Sequence, residues 1–392
     1  MRRPMRVLHV VQNLNYGGLE RLVFDLVRLA DRERFEPHVL ALQYVGRFGE
    51  GMEEHARVHL APPMPRWSML RPAALARQIA AIAPDVAHTH SGVWWKGSLA
   101  ARMAGVPLLV HTEHGRRAPD PLDDQLIDGW ASRRSDVVAA VSDPLARHLE
   151  ARVVRGRAAV VVVPNGVDTD AFRPRADSGA LRRELELADD VPVLGSVGRL
   201  EPIKGYEVAV RALALLGDGG TGGAAPVLVL AGDGSERGRL EALAASLGVG
   251  GRVFFLGWRD DLHDLHAAFT LFTMSSHSEG TSVSLLEAMS AGLCPVVTDV
   301  GGNAAVLGPE LGHRLVRPGE PAALAAAWRR ALGDWKRCAA DALSARRRVE
   351  EHFSARTMVR RYESIYAGRP AAEPEPALAG AGADGLSRAV MP

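Results

Sequence analysis

Val7-Leu8-His9-Val10-Val11 is a short run of mostly branched apolar residues, and Asn13-Leu14-Asn15-Tyr16-Gly17-Gly18 follows it closely. Leu19, Leu22, Val23, Leu26, Val27 and Ala30 then recur at intervals of three and four. The first stretch has the length and branching of a buried strand, and the last has the period of a helix that turns one face to a sheet. The glycine pair between them removes two β-carbons from the strand-to-helix turn, so that backbone there can approach a bulky ligand. This βα unit decides the fold because it repeats.

His38–Leu42, Asp85–His88, Pro107–His111, Val137–Val141 and Ala159–Val163 read as further strands, and Trp94–Met103 as a helix. Strands apolar on both faces and alternating with helices call for a parallel sheet covered on both sides. Pro164-Asn165-Gly166-Val167-Asp168 is turn-like and precedes a charged stretch, Arg173–Asp190, where a domain boundary is expected. A second series then begins. Strands are predicted over Val193–Val197, Val227–Ala231, Val253–Leu256, Leu271–Met274 and Pro295–Thr298. Helices are predicted over Tyr206–Leu216, Glu236–Leu247, Leu262–Ala268 and Ser284–Ala291. The glycine-rich Gly217–Ala225 is a flexible loop, since no Lys-Ser/Thr helix start follows it.

With 392 residues, two domains are the default. The expected class is α/β: two doubly wound Rossmann-like domains facing across a cleft. Residues 1–168 are expected to form the first domain and 169–350 the second. Residues 351–368 form a helix crossing back to the first domain. The Pro-, Ala-, Gly- and Glu-rich 369–392 is read as a disordered tail. Open α/β sheets bind ligands at the carboxyl ends of their strands, which makes the cleft the expected site.

Composition excludes several classes. A formal net charge of +1 provides no global field for nucleic acid or an anionic membrane. The two cysteines, Cys294 and Cys338, lack zinc or redox spacing; they read as a packed residue and a helix-surface residue in a reducing compartment. The apolar run after the basic start is too short for a signal segment, and no stretch is long enough to span a bilayer. The expectation is a cytoplasmic protein, one that is still able to rest on the inner face of the membrane.

The chemistry concentrates in Ser275-Ser276-His277-Ser278-Glu279-Gly280-Thr281-Ser282-Val283-Ser284-Leu285-Leu286-Glu287. Glu279 falls in the loop after a strand, where a carboxylate can accept hydrogen bonds from sugar hydroxyls. Glu287 lies about two turns along the following helix, placed to hold a ribose diol. The N–H groups of Gly280, Thr281 and Ser282 sit at that helix's N-terminus, which favours an anion. Gly198-Arg199-Leu200-Glu201-Pro202-Ile203-Lys204-Gly205 closes the second domain's first βα turn. Arg199 and Lys204 there suit a diphosphate, one through a planar fork and the other as a point charge.

Taken in order, these motifs resemble the retaining glycosyltransferases of family four, which have the GT-B fold (glycosyl transferases group 1). The likeness runs from Val7 to about Tyr366. It includes the Gly17-Gly18 loop, His111-Thr112-Glu113-His114-Gly115, Pro164–Asp168, Gly198–Gly205, Ala231-Gly232-Asp233-Gly234, Val253–Gly257 and Glu279–Glu287 continuing to Gly292 and Pro295. The resemblance implies transfer of a sugar from a nucleotide-diphosphate donor to a glycan or lipid-linked acceptor, in cell-surface or extracellular polysaccharide synthesis, with residues 1–168 as the acceptor-side domain and 169–350 as the nucleotide-sugar-binding domain. Arg199 and Lys204 would stabilise the leaving diphosphate, Glu279 would bind the donor sugar and Glu287 the ribose. Gly17 and Gly18 would admit the phosphates, His114 would lie beside the transferred sugar, and Gly257 and Trp258 near the base. It implies no metal and no other cofactor. The sequence departs from the family at Ala305, where a glutamate is common, and before Gly312, where an asparagine is usual.

Rival readings are a sugar-nucleotide epimerase or hydrolase of the same architecture, a nicotinamide oxidoreductase and a catalytically silent nucleotide-sugar-binding subunit. The glycine pattern argues against the oxidoreductase, and the paired cations and acids argue against the others. His88, His90, His111 and His114 read as strand-end histidines rather than a metal cluster. Trp94-Trp95 offers an acceptor platform or core, with at least one residue expected in the core. Pro65–Pro72, with Arg77 on the next helix, fits either peripheral contact with a membrane or a solvated loop.

Overall fold

The computed structural model describes residues 3–15, 17–64, 66–116, 120–217 and 224–368. The tail 369–392 and most of the glycine-rich loop, residues 218–223, lie outside them, as do Tyr16 and Pro65.

Seven strands are described in the first half: β1 (Met5–Val11), β2 (Phe35–Ala41), β3 (Arg57–Leu60), β4 (Val86–His90), β5 (Leu108–Glu113), β6 (Val137–Ala140) and β7 (Ala159–Val162). They pair in parallel in the order β3-β2-β1-β4-β5-β6-β7. The second half adds β8 (Val193–Val197), β9 (Val227–Ala231), β10 (Val253–Gly257), β11 (Leu271–Met274), β12 (Pro295–Thr298) and β13 (Leu315–Val316). These form a second parallel sheet in the order β10-β9-β8-β11-β12-β13.

Side chains two apart on a strand share a face. Leu8 and Val10 accordingly join Leu40, Ala87 and Leu109 in a core beneath helices Ala73–Ile82 and Trp94–Met103. Val7 joins Val86, Val110 and Ala139 on the opposite face, under helices Gly18–Arg28 and Ala355–Tyr366. Both faces are covered, as the continuous apolar runs require. Each sheet reverses its winding once, between β1 and β4 in the first and between β8 and β11 in the second. The loops that leave those four strands are where a ligand is bound in such folds.

Helix Ala355–Tyr366 belongs spatially to the first sheet, packing Met358, Val359, Tyr362, Ile365 and Tyr366 against Val7, Leu22 and Phe35. Its entry is pinned where Val167 N donates to Phe353 O at 2.9 Å and Ala355 N donates to Val167 O at 2.8 Å. Gly166 allows this crossing, since a β-carbon there would lie 2.8 Å from Ala355 Cα and from Ser354 O. That contact distance explains the glycine in Pro164-Asn165-Gly166.

Three differences from the sequence expectations have physical reasons. Cys338 is buried, not at a helix surface: it shares the inward face of helix Trp335–His352 with Asp341, Ala345 and Val349. β3 carries no fully buried residue, so it has no apolar run to mark it. Helix Leu122–Ser132 also escaped the reading, because its apolar residues Leu122, Leu126 and Trp130 face solvent rather than a core.

Candidate functional site

A cleft of ≈ 580 Å³ runs between the two domains, walled by the loops from the reversal points of both sheets. The first domain contributes Gly17, Gly18, Arg21, Ser91 and His114, and the second Arg199, Lys204, Glu279 and Glu287. Trp258 and the segment Gly280–Ser284 complete the wall on that side. Every sequence-predicted site residue but one therefore reaches a single cavity. The exception is Gly257, which is not among the lining residues; its carbonyl accepts from Gly232 N at 2.7 Å beside Trp258.

The cation-bearing turn is shaped by its last residue. Pro202–Lys204 forms one 3₁₀ turn, and Gly205 ends it at φ 58°, a left-handed conformation that glycine adopts without strain. A β-carbon at Gly205 would also run into Ser275 O, so the glycine lets this turn rest on the loop that carries Glu279. Lys204 Nζ consequently lies 2.7 Å from Glu279 Oε1, and Ser276 Oγ donates to the same oxygen at 2.6 Å. With Oε1 doubly engaged, Oε2 is the carboxylate oxygen left to meet a ligand hydroxyl. Arg199 stands exposed on the same wall.

The Glu279 loop also rests on the first domain. A β-carbon at Gly280 would run into His114 O, Asn165 Nδ2 donates to Thr281 O at 2.6 Å, and Thr281 Oγ1 donates to Val141 O. Gly302 N donates to Gly280 O at 2.8 Å from the loop that precedes Ala305. Helix Val283–Ser290 then begins under a Ser282 cap, with its N-terminal N–H groups at the cavity.

Two residues in the first domain were not singled out from sequence. Glu20 carries a carboxyl pKa raised by burial, an effect opposed by its own backbone hydrogen bond and by the Arg199 charge across the cleft. Arg21 lines the cleft and acts electrostatically on Glu287. Both follow Gly17-Gly18 on the first helical turn, where ordinary amphipathic spacing hides a functional charge. Arg116, also on the wall, is held by Glu113, Asp120 and Asp128 at 2.8–3.2 Å and serves to brace it.

Trp94 is core, as expected of one of the pair: its ring stacks on His111 at 3.8 Å and its Nε1 donates to Ser135 Oγ at 2.9 Å. His9, His88 and His90 bring ring nitrogens within 4.8 Å of one another. Hydrogen-bonding neighbours already meet both nitrogens of His88: Tyr366 Oη at Nδ1 and Thr112 Oγ1 at Nε2, each 2.7 Å away.

Known proteins carry the same architecture. The profile described as "Glycosyl transferases group 1" matches residues 177–348, and that of "Glycosyltransferase Family 4" matches residues 16–171. The chain belongs to the family-four glycosyltransferases. It is 31% identical to the 2-deoxystreptamine glucosyltransferase of Streptomyces kanamyceticus over 61% of this chain and 64% of that one. The UDP-Gal:alpha-D-GlcNAc-diphosphoundecaprenol alpha-1,3-galactosyltransferase of Escherichia coli is 26% identical over 76% of this chain and 80% of its own length. The crystal structure of Anabaena HepE in complex with UDP superposes with a TM-score of 0.79 at 25% identity, covering 93% of this chain and 100% of that one.

In this glycosyltransferase Glu287 is buried, and burial raises its pKa from the usual 4.5 to about 7, with Arg21 opposing the rise and Asp25 adding to it. Folded and unfolded carboxyl groups then differ between those values: the folded form keeps its proton longer, so ionisation weakens the free protein as pH rises through the window. A ligand hydroxyl donating to this carboxylate would favour the ionised form and draw the pKa back down. A ligand held by Glu287 in this way is therefore expected to bind more weakly as pH falls below about 7, by up to about tenfold per unit. Calorimetric titration with a panel of nucleotide sugars across that range checks this, with Glu287→Gln expected to flatten the dependence. A wild-type affinity that does not change with pH removes Glu287 from the ligand contact.

Proposed function

We propose that this glycosyltransferase moves a sugar from a nucleotide-diphosphate donor to a glycan or lipid-linked acceptor, with retention at the anomeric carbon and without a metal. One observation carries the reading: two cations and two acids, from separate turns of the second domain, converge on a cleft whose far wall is the glycine pair of the first. Arg199 and Lys204 face the leaving diphosphate, Glu279 the hydroxyls of the donor sugar and Glu287 the ribose. Gly17 and Gly18 bring backbone to the phosphates, His114 lies beside the transferred sugar, and Trp258 flanks the base. The UDP bound by HepE and the donor and acceptor named for the Escherichia coli relative support this assignment. The hydrogen-bonding neighbours of the histidine cluster support reading it as a polar network of the fold rather than a cofactor site.

As the glycosidic bond breaks, negative charge grows on the diphosphate while the sugar becomes oxocarbenium-like. Fixed cations aimed at that charge act only as it develops, which is the differential stabilisation that raises turnover. A diphosphate oxygen on the departing face takes the acceptor's proton, and the sugar is delivered to that same face. The domain-bridging contacts at Gly280 and Thr281 keep the cleft walls close enough to limit competing hydrolysis by water. Ion pairing with Glu279 holds Lys204 in place before the donor arrives, so little reorganisation is needed.

For the acceptor we propose a lipid-linked glycan met at a membrane face, in cell-surface polysaccharide synthesis. Among the described residues no helix is long and apolar enough to cross a bilayer. Exposed Leu70, Leu122, Leu126 and Trp130 lie on the first domain with Arg71 and Arg133 exposed nearby in sequence, which supports peripheral contact.

Three measurements test the reading. A panel of UDP-, GDP- and ADP-sugars should contain a member that raises thermal stability, by about 3 kcal/mol at roughly a hundredfold excess over Kd. Silence across the whole panel argues against a nucleotide-sugar site. Lys204→Ala should cut turnover about a hundred- to a thousandfold with an unchanged circular dichroism spectrum; near-wild-type turnover would remove the clamp. Flotation with vesicles containing anionic lipid should carry the protein upward, and its retention in the soluble fraction counts against membrane contact.

A further inference from the structure

Behind His114 a file of imidazoles leads away from the cleft. His114 Nε2 lies 3.2 Å from His90 Nδ1, and His90 Nε2 lies 3.3 Å from His9 Nδ1. The rings of neighbouring members are stacked, at centroid distances of 5.4 and 5.6 Å. His9 and His90 are buried, and His88 packs against both, held between Tyr366 and Thr112. Tyr362 Oη lies 2.9 Å from Thr112 Oγ1, so the returning C-terminal helix walls the file from one side. His114 lines the cleft, and its Nδ1 is buried and has no hydrogen-bond partner among the described residues.

Burial holds the three imidazoles neutral: the His9 pKa falls to about 3, the His114 pKa to about 4, and that of His90 lies well below the usual value. A neutral imidazole carries one N–H and one bare nitrogen. Each N···N contact in the file needs one proton and only one, since two bare nitrogens repel and two N–H groups collide. The contacts therefore share a direction. If His9 donates from Nδ1, His90 must donate from Nδ1 and His114 carries its proton on Nδ1. If His114 donates from Nε2, His90 donates from Nε2 and His9 carries its proton on Nε2. No mixed arrangement satisfies both contacts.

We propose that His9 and His90 are positioning residues that fix the tautomer of His114, so that the imidazole lining the cleft is held in one pattern of N–H and bare nitrogen. His9 does so without touching the cavity; its influence passes through His90. The functional part rests on the reading of the cleft as the donor site, while the tautomer rule stands on the file itself.

Selective ¹⁵N-histidine labelling and two-bond ring correlations read the tautomers directly, with no ligand present. All three rings should carry the proton on the same nitrogen, all Nδ1 or all Nε2. A mixed set in the wild-type protein overturns the proposal whatever the cleft binds. In His9→Phe, His114 should lose its single tautomer, and kcat should fall about 10- to 100-fold while KM for the donor stays within about twofold, the scale seen for outer partners of functional histidines. His111 is a buried control on the neighbouring strand, 2.9 Å from Thr89 Oγ1 and outside the file; His111→Phe should leave the His114 tautomer unchanged. If His9→Phe does not fold, His9→Leu is read in the same way. A folded His9 variant with an unaltered His114 tautomer refutes the coupling, and a shifted tautomer with unchanged kcat refutes the functional part alone.

Discussion

The cleft depends on backbone lying against backbone where side chains would ordinarily keep its loops apart. Gly280 lets the Glu279 loop reach His114 O, and Gly205 lets the Lys204 turn reach Ser275 O. Gly301 and Gly302 back the same loop from behind, since a β-carbon at either would run into Glu279 O or Gly280 O. A close-packed interior has no slack to absorb extra β-carbons at such contacts. Remove the glycines and the carboxylate, the cations and the first-domain wall no longer share one space. The hydrogen bonds from Asn165 to Thr281 O and from Thr281 to Val141 O then have fixed ends, which gives the loop its orientation.

Charge is arranged around that geometry with unequal burial. Lys204 and Glu279 are paired near the edge of solvent, which holds both side chains in place on the cleft wall. Glu287 is more deeply buried, and burial keeps its proton in place until a polar ligand or a rising pH removes it. On the opposite wall, in the first domain, the buried histidines are neutral. Ion pair, protonated carboxyl and neutral imidazole are three ways to avoid the cost of an isolated buried charge.

Much of this was legible in the chain itself. Strands such as β8, β9, β11 and β12 match their apolar runs residue for residue, because burial on both faces leaves an unbroken signal. Gly17, Gly18, Arg199, Lys204, Glu279 and Glu287 were found because strand-end loops with Gly, Lys, Arg and Glu stand out against those runs, whereas His114, Gly257 and Trp258 came only from the family resemblance. What escaped notice lacked that contrast. β3 buries no residue fully, helix Leu122–Ser132 turns apolar residues to solvent, and Cys338 needed the tertiary packing of its helix to be recognised as core. Glu20 and Arg21 were passed over because a charged first turn on an amphipathic helix is ordinary, and only the opposite domain makes them part of a site.

The residues alone determined the parallel sheets, the division into two domains and the identity of the charged groups, since period, branching and turn chemistry are local properties. Three things were decided only in three dimensions: that Oε1 of Glu279 is already taken, that Glu287 is buried enough to hold its proton near neutrality, and that His9, His90 and His114 stand in file. Each depends on distances between segments far apart in the chain. Hydrogen bonding and desolvation are set by neighbours in space, and sequence order does not supply them.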